Sequence, residues 1–293
     1  VNAALLKAWP LPGLDDDGDK ETRGRVLVIA GSDGMPGAAI LAAICTLRAG
    51  AGKLQIAAPK SVAPWIAISV PESLVMALPE TARGLSPAAS AKILKDPMKS
   101  AAAVLIGPGM TGGPALTQLM KRLLPSLADK ILVLDAEALH GAQHLQKEFL
   151  RYRIQVIMTP HAGEMAKLLD IDKKEIDKDP AAHAARFAAI NGIVTVLKGS
   201  HSWIATPDGS LYKNTNGNVG LGVSGSGDTL SGIIAGLAAR GASAPQAAAW
   251  GVHLHASAGD RLAKRFGQVG YLPREIPQEI PALLEALAMG RHR

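Results

Sequence analysis

Six short runs constrain this chain more than anything else in it: RVLVIAG, KLQIAAP, AAVLIGPG, KILVLDAEAL, RIQVIMTPH and GIVTVLKGS. Each is apolar without alternation and ends in Gly, Pro or polar residues. A strand with one wet face alternates, whereas a strand covered on both faces does not, so these read as buried strands of a parallel sheet. Between them, AAILAAICTLRAG and ALTQLMKRLLPSL carry helical spacing. Strand–helix alternation of this kind predicts a doubly wound α/β layer fold. HSWIATPDGSLYKN interrupts the series, with Asp208-Gly209 between two strand-like pieces, which predicts a hairpin after the last parallel strand. Two long helices follow. The second opens on Ser243 and Gln246 in capping-box spacing, has Pro245 in its first turn and ends near Gly267. No repeat or linker divides the chain, so residues 1–293 read as one domain, with 1–23 an acidic, proline-bearing lead.

Composition narrows the chemistry. Hydrophobic residues make up 48% and aromatics only 3%, so the core must be built from Ala, Val, Ile and Leu. The formal charge of +6 comes without a dense Lys/Arg block. That suits an anionic small ligand and argues against nucleic acid. One cysteine, Cys45, excludes an internal disulfide and fits a reducing compartment. The start of the chain has no cationic stretch followed by a long apolar run, so neither a signal peptide nor a membrane span is expected, and the expected location is the cytoplasm.

The stretch GVSGSGDTLSGIIAGL concentrates the functional signal. Leu230, Ile233, Ile234 and Leu237 share one helix face, so a helix should begin at about Gly227 or Asp228. Its free N–H groups, with those of Gly225 and Ser226, would make an anion cradle that the helix dipole favours. Asp228 then has two possible roles: an N-cap for the helix, or a general base beside a phosphate. The preceding glycine run, NTNGNVGLG, favours the second, since a cap needs no such platform. Lys198, just past a buried strand, stands at the edge where open α/β sheets bind ligands. Asp135, Thr159, His161 and Glu164 fall at strand ends on that same edge. Thr159 or His161 could simply initiate a helix, and Asp135 could be a loop cap. GPGMTGG, Gly107 to Gly113, suits close backbone approach to a ligand, and Gly37 to Ala39 read as a ligand-facing turn. His253 and His255, two apart in a helix, face different ways and make poor joint metal ligands. Cys45 reads as core, and Trp65, Trp203 and Trp250 as isolated.

Together VIAGSDGMPGAAILAA, GPGM, LVLDAEAL, TPHAGEMAKLL, VLKGSHSWIATPDG and GNVGLGVSGSGDTLSGIIAGLAARG resemble, in order, the ADP-dependent NAD(P)H-hydrate dehydratases. The resemblance implies a ribokinase-like three-layer α/β/α fold with a mostly parallel sheet and a β-hairpin near the nucleotide site. It implies a lyase that uses ADP and Mg2+ to restore NADH or NADPH from the S epimer of the hydrate, releasing AMP and phosphate. Asp228 would take the proton of the substrate hydroxyl, over an anion hole of Gly225, Ser226 and Gly227. Ala39, Gly109, His161 and Asp228 would contact the hydrated dinucleotide. Lys198, Gly199, Ser200, His201, Ser202 and Gly227 would bind ADP, and Glu164 would act indirectly on magnesium. A homotetramer and a separate epimerase are also implied. The chain departs from the family pattern at Ala162, where Pro is usual, at NTNGN in place of NPTGN, and at His140 in place of Asn. Two rivals share the fragments: a small-molecule kinase of the same superfamily, and a nucleotide-binding module without catalysis.

Overall fold

The computed structural model describes residues 1–13, 19–81 and 84–288; the acidic stretch 14–18 of the lead lies outside them. The strands are β1 (Arg25–Ile29), β2 (Lys53–Pro59), β3 (Leu74–Leu78), β4 (Glu80–Thr81), β5 (Gly84–Leu85), β6 (Ala103–Ile106), β7 (Ile131–Leu134), β8 (Gln155–Met158), β9 (Val194–Leu197), β10 (Ser202–Ala205) and β11 (Leu211–Asn214). Nine of them form one sheet in the order β11-β10-β9-β8-β7-β6-β1-β2-β3, and β4 pairs with β5 alone. Neighbours from β3 to β9 run parallel, while β10 and β11 are antiparallel. The six apolar runs are β1, β2 and β6 to β9. The expected hairpin is β10–β11, turning at 207–210. The edge strand β3 has a half-exposed pattern that leaves no continuous apolar run to read.

Both sheet faces are covered, which is why the runs do not alternate. Val26 and Val28 of β1 join one core, with helices Pro36–Arg48, Ser226–Ala239 and Ala244–Phe266. Leu27 and Ile29 join the other, with helices Gly113–Leu123, Ala162–Leu169 and Pro180–Asn191. The result is the expected three-layer α/β/α arrangement. From the interior strand β1 the chain fills one side of the sheet, then returns through β6 to fill the other. The topological switch therefore lies between β1 and β6, and the strands' carboxyl ends form the ligand edge.

Helix Ser226–Ala239 is not amphipathic, contrary to the one-face reading: every residue from Thr229 to Ala239 is buried. Two glycines let helix Pro36–Arg48 lie against its second face. A Cβ at Gly232 would stand 2.2 Å from the Ala42 carbonyl oxygen, and one at Gly236 would stand 2.5 Å from that of Thr46. Backbone cannot yield as a flexible side chain can, so Gly232→Ala is expected to cost about 3 kcal/mol, at the upper end for overpacking. Thermal unfolding should show a Tm loss on the order of 5–10 °C; an unchanged Tm would mean that the two helices can move apart freely.

The lead is docked rather than detached. Leu6 is fully buried, Trp9 stacks on Tyr212, and the Trp250 indole donates to the Trp9 carbonyl at 2.9 Å, so Trp250 is not isolated. This docking also leaves the expected capping box half made. Ser243 accepts from the Gln246 amide, but the Gln246 side chain donates to the Trp9 and Pro10 carbonyls instead of returning to Ser243. Helix Ala244–Phe266 does end on Gly267.

Candidate active site

Helix Ser226–Ala239 begins one to two residues earlier than its apolar pattern indicates, because Gly225 turns the chain into it at φ +94°. Asp228 is thus the third helical residue and forms no capping bond, which removes the cap alternative. The first turn also redistributes the cradle. The Ser226 amide donates to the Val223 carbonyl at 3.2 Å, and the Thr229 amide to Gly225 at 3.2 Å. Of the amides from Gly225 to Thr229, those of Gly225, Gly227 and Asp228 have no partner among the described residues. Ser226, expected in the anion hole, contributes neither its amide nor its hydroxyl: Oγ lies 3.1 Å from His255 Nε2.

The ends of β7, β8 and β9 bring the polar residues together under that turn. Asp135 follows β7 and is 2% exposed. Its Oδ1 accepts from Thr159 Oγ1 at 2.7 Å and from Lys198 Nζ at 3.0 Å. Lys198 Nζ lies 3.8 Å from Glu164 Oε2 as well. His161 and Lys198 form a single parallel bridge beyond β8 and β9, which holds the two loops in register. His161 caps helix Ala162–Leu169: its Nδ1 accepts the Gly163 and Glu164 amides, while Glu164 Oε2 accepts the His161 amide at 2.7 Å. With Nδ1 used as an acceptor, a ring proton sits on Nε2, which lies 3.6 Å from Glu164 Oε2. Ala162 in place of Pro is conformationally neutral, since it occupies the first helical position, where proline is merely favoured.

Gly227 closes the arrangement from above. A Cβ placed there would lie 3.3 Å from Lys198 Nζ and 3.9 Å from Asp135 Oδ2, so only the bare backbone covers the ammonium. Burial would lower the Lys198 ammonium, but the charges of Asp135, Glu164 and Asp228 and the bond to Asp135 more than reverse this and hold it raised. Asp228 behaves oppositely. Burial, then the charge of Asp135, push its carboxyl up to about 7, with Lys198 pulling the other way. Among the described residues the carboxyl has no hydrogen bond or ion pair. A carboxylate that exchanges its proton near neutrality, beside three free amides and a fixed ammonium, can deprotonate a hydroxyl and hold the phosphoryl group which that oxygen attacks.

The other expected residues sit further out. Gly199, Ser200 and His201 form the exposed β9–β10 turn and Ser202 opens β10, so of the residues expected to bind ADP only Lys198 and Gly227 join the cluster. Ala39 is fully buried. Gly109 (φ +63°) has its close approach to Met35 and Ala38 of this chain, the one contact there that glycine is needed for. Leu41, in the next turn, is the nearest neighbour of a Cβ at Gly225, which links this region to the cradle. Among the described residues no group of three or more His, Cys, Asp or Glu could hold a metal. A cavity of about 480 Å3 between helices Ala162–Leu169 and Pro180–Asn191 contains none of the site residues.

Two groups escaped the sequence reading. His255 meets Ser226 from helix Ala244–Phe266. Asp260, on the same helix, accepts from the Gly217 amide and the Asn218 side chain, both at 3.0 Å. Asn218 in turn accepts from the Gly220 amide and Tyr271 hydroxyl. The NTNGN departures fall at Thr215 and Asn216, whereas this loop is fixed chiefly through Gly217 and Asn218.

A family model described as NAD(P)H-hydrate dehydratase matches residues 26–282. An ADP-dependent (S)-NAD(P)H-hydrate dehydratase from Xanthomonas campestris is 48% identical over 99% of this chain and 97% of its own. The chain also matches bifunctional NAD(P)H-hydrate repair enzymes, of which it spans about half. Among solved structures, an ADP/ATP-dependent NAD(P)H-hydrate dehydratase from Bacillus subtilis, co-crystallized with ATP/Mg2+, is similar at TM-score 0.84 and 30% identity, over 98% of this chain and 97% of that one. A ribokinase-like superfamily protein from Enterococcus faecalis is similar at TM-score 0.80 and 26% identity, over 98% and 95%.

Proposed function

The chain belongs to the NAD(P)H-hydrate dehydratase family, and from that premise we propose that it dehydrates the S epimer of hydrated NADH or NADPH at the expense of ADP. The observation that carries the reading is Asp228: a partner-free carboxylate with its pKa near 7, in the first turn of a helix whose amides are open. Hydroxide is a poor leaving group and phosphate a good one, which is the chemical reason for coupling a dehydration to a nucleotide. Asp228 accepts the proton of the ring hydroxyl as that oxygen attacks the β-phosphorus of ADP, and the bond to the AMP oxygen breaks. The amides of Gly225, Gly227 and Asp228, with Lys198, hold the negative charge of the phosphoryl group in transit. The ring nitrogen's electron pair then expels phosphate from C6, and loss of a proton from C5 to water closes the C5–C6 double bond of the reduced nicotinamide.

Magnesium in this reading arrives on the nucleotide, where it would screen phosphate charge. Glu164 and Asp135 supply carboxylates of the kind this ion takes when most of its shell is water and phosphate. His161, half-exposed beside Glu164, would contact the hydrated dinucleotide, with Ala39 and Gly109 shaping its other end. The 198–202 turn would carry the adenine nucleotide. A homotetramer, a cytoplasmic location and an epimerase acting on the R epimer complete the proposal.

Absorbance at 340 nm tests it, with purified protein, magnesium, the hydrate and either ADP or ATP. A rise with ADP that is absent without nucleotide is the expected result. A rise with ATP alone would keep the reaction and change the donor. No rise from protein that binds ADP, together with a stable phosphorylated product from an alcohol, would replace the dehydratase with the kinase.

A further inference from the structure

Helix Ala244–Phe266 holds the 216–218 loop and the first turn of the cradle helix. Asp260 fixes Gly217 and Asn218, and Ser257 meets the Asn216 side chain at 3.3 Å. Five residues before Asp260, His255 approaches the first turn of the cradle helix, with Nε2 3.0 Å from the Ser226 carbonyl oxygen and 3.1 Å from its Oγ. A carbonyl can only accept, so Nε2 carries the imidazole proton. Burial pushes His255 down to about 4, against the bond to Ser226, which raises it, and with the charge of Lys198, which lowers it further, so the ring stays neutral. Thr229 also donates to the Ser226 carbonyl, at 2.7 Å, but that bond lies within one helix and fixes its shape. The His255 bond crosses between helices and fixes where the first turn sits. Close packing transmits the constraint: a Cβ at Gly251 would stand 2.5 Å from Ile234, and one at Gly259 would stand 2.7 Å from Leu221.

We propose that His255 is a positioning residue for phosphoryl transfer: by donating to Ser226 from the neighbouring helix it aims the Gly227 and Asp228 amides, and the Asp228 carboxylate, at the transferring phosphate. The inference rests on the reading that the phosphate sits over this turn. It assigns Ser226 an inward-facing hydroxyl that stays off the ligand. A buried neutral donor one imidazole long is the chemical requirement, and the Gln side-chain amide comes closest to meeting it.

His255→Leu is expected to lower kcat for ADP-dependent turnover by about 30-fold, with KM for ADP within about threefold, because misaiming costs most in the transition state. His255→Gln should recover most of that loss, and Ser226→Ala should stay within about fivefold of the parent. If His255→Leu does not fold, His255→Asn, polar but too short to reach Ser226, takes its place with the same expectation. Backbone amide NMR shifts of Gly225 and Gly227 on adding ADP, large in the parent and diminished in His255→Leu, give a readout independent of turnover. Three results would each overturn the assignment: a His255→Leu kcat equal to the parent's, a Gln variant no better than Leu at equal Tm, or a Ser226→Ala loss matching that of His255→Leu. If the parent protein binds ADP but turns over no hydrate, the reading of function fails instead, and the amide shifts still decide the positioning role.

Discussion

Asp228→Asn is expected to cut ADP-dependent turnover by about 10³-fold while ADP still binds, the loss typical of removing a general base. The substitution is nearly isosteric and the Asp228 side chain makes no hydrogen bond or ion pair among the described residues, so little else should change. Below pH 7 the parent kcat/KM should fall about tenfold per pH unit as the carboxyl, held near 7 by burial and then by Asp135, takes up its proton. The residual activity of the variant should lack that limb. Stability should move in the opposite direction. A carboxyl whose folded pKa is raised favours the fold most below its unfolded value of 3.8, and that contribution is lost as pH rises through about 7. A rise of about three units corresponds to a ceiling of about 4 kcal/mol, reduced wherever the side chain relaxes toward water. Asp228→Asn should therefore have a higher Tm than the parent at pH 8, by several degrees, and a similar Tm below about pH 4. An inactive variant without alkaline stabilisation would leave the base role standing but remove the burial argument. Full activity would remove the base.

That trade-off explains how far the sequence alone could be read. The strands were legible because both faces are covered, which writes burial directly into RVLVIAG and its counterparts. The site edge followed, since Asp135, His161 and Lys198 each stand one to three residues past such a run. What one helix does to another was not legible. Periodicity shows that Ala244–Phe266 has a buried face, but not that His255 reaches Ser226, 29 positions away, or that Asp260 reaches Gly217, 43 away. The same blindness made Trp250 look isolated and gave Gln246 the wrong bond, because both partners lie in the lead, more than 230 positions upstream. Which amides stay free is likewise a matter of turn geometry. Gly-Ser-Gly-Asp announces an anion cradle, but only the positive φ of Gly225 and the Val223 carbonyl decide that Asp228, and not Ser226, supplies its third amide.

Lys198→Met should lose activity and stability for separable reasons. Nζ stands 3.0 Å from Asp135 Oδ1 and 3.8 Å from Glu164 Oε2, with side-chain exposures of 19%, 3% and 16% for the lysine and the two acids. Removing one partner of such a pair strands the other as an unpaired charge, a cost of about 3–5 kcal/mol. The change also removes the cation that restrains Asp228, so the acid limb of the pH–rate profile should shift to higher pH. Loss of a charge-stabilising donor over the phosphate lowers kcat by a further 10²-fold or more, on the order of an oxyanion-hole donor. The double variant Lys198→Met with Asp135→Asn separates these effects. Neutralising the stranded acid should restore much of the Tm, since the cost lay in the unpaired charge, while kcat stays low because nothing positive faces the phosphate. Recovery of activity together with stability would make Lys198 a structural counter-ion and leave the charge of the transferring phosphoryl group to the cradle amides alone.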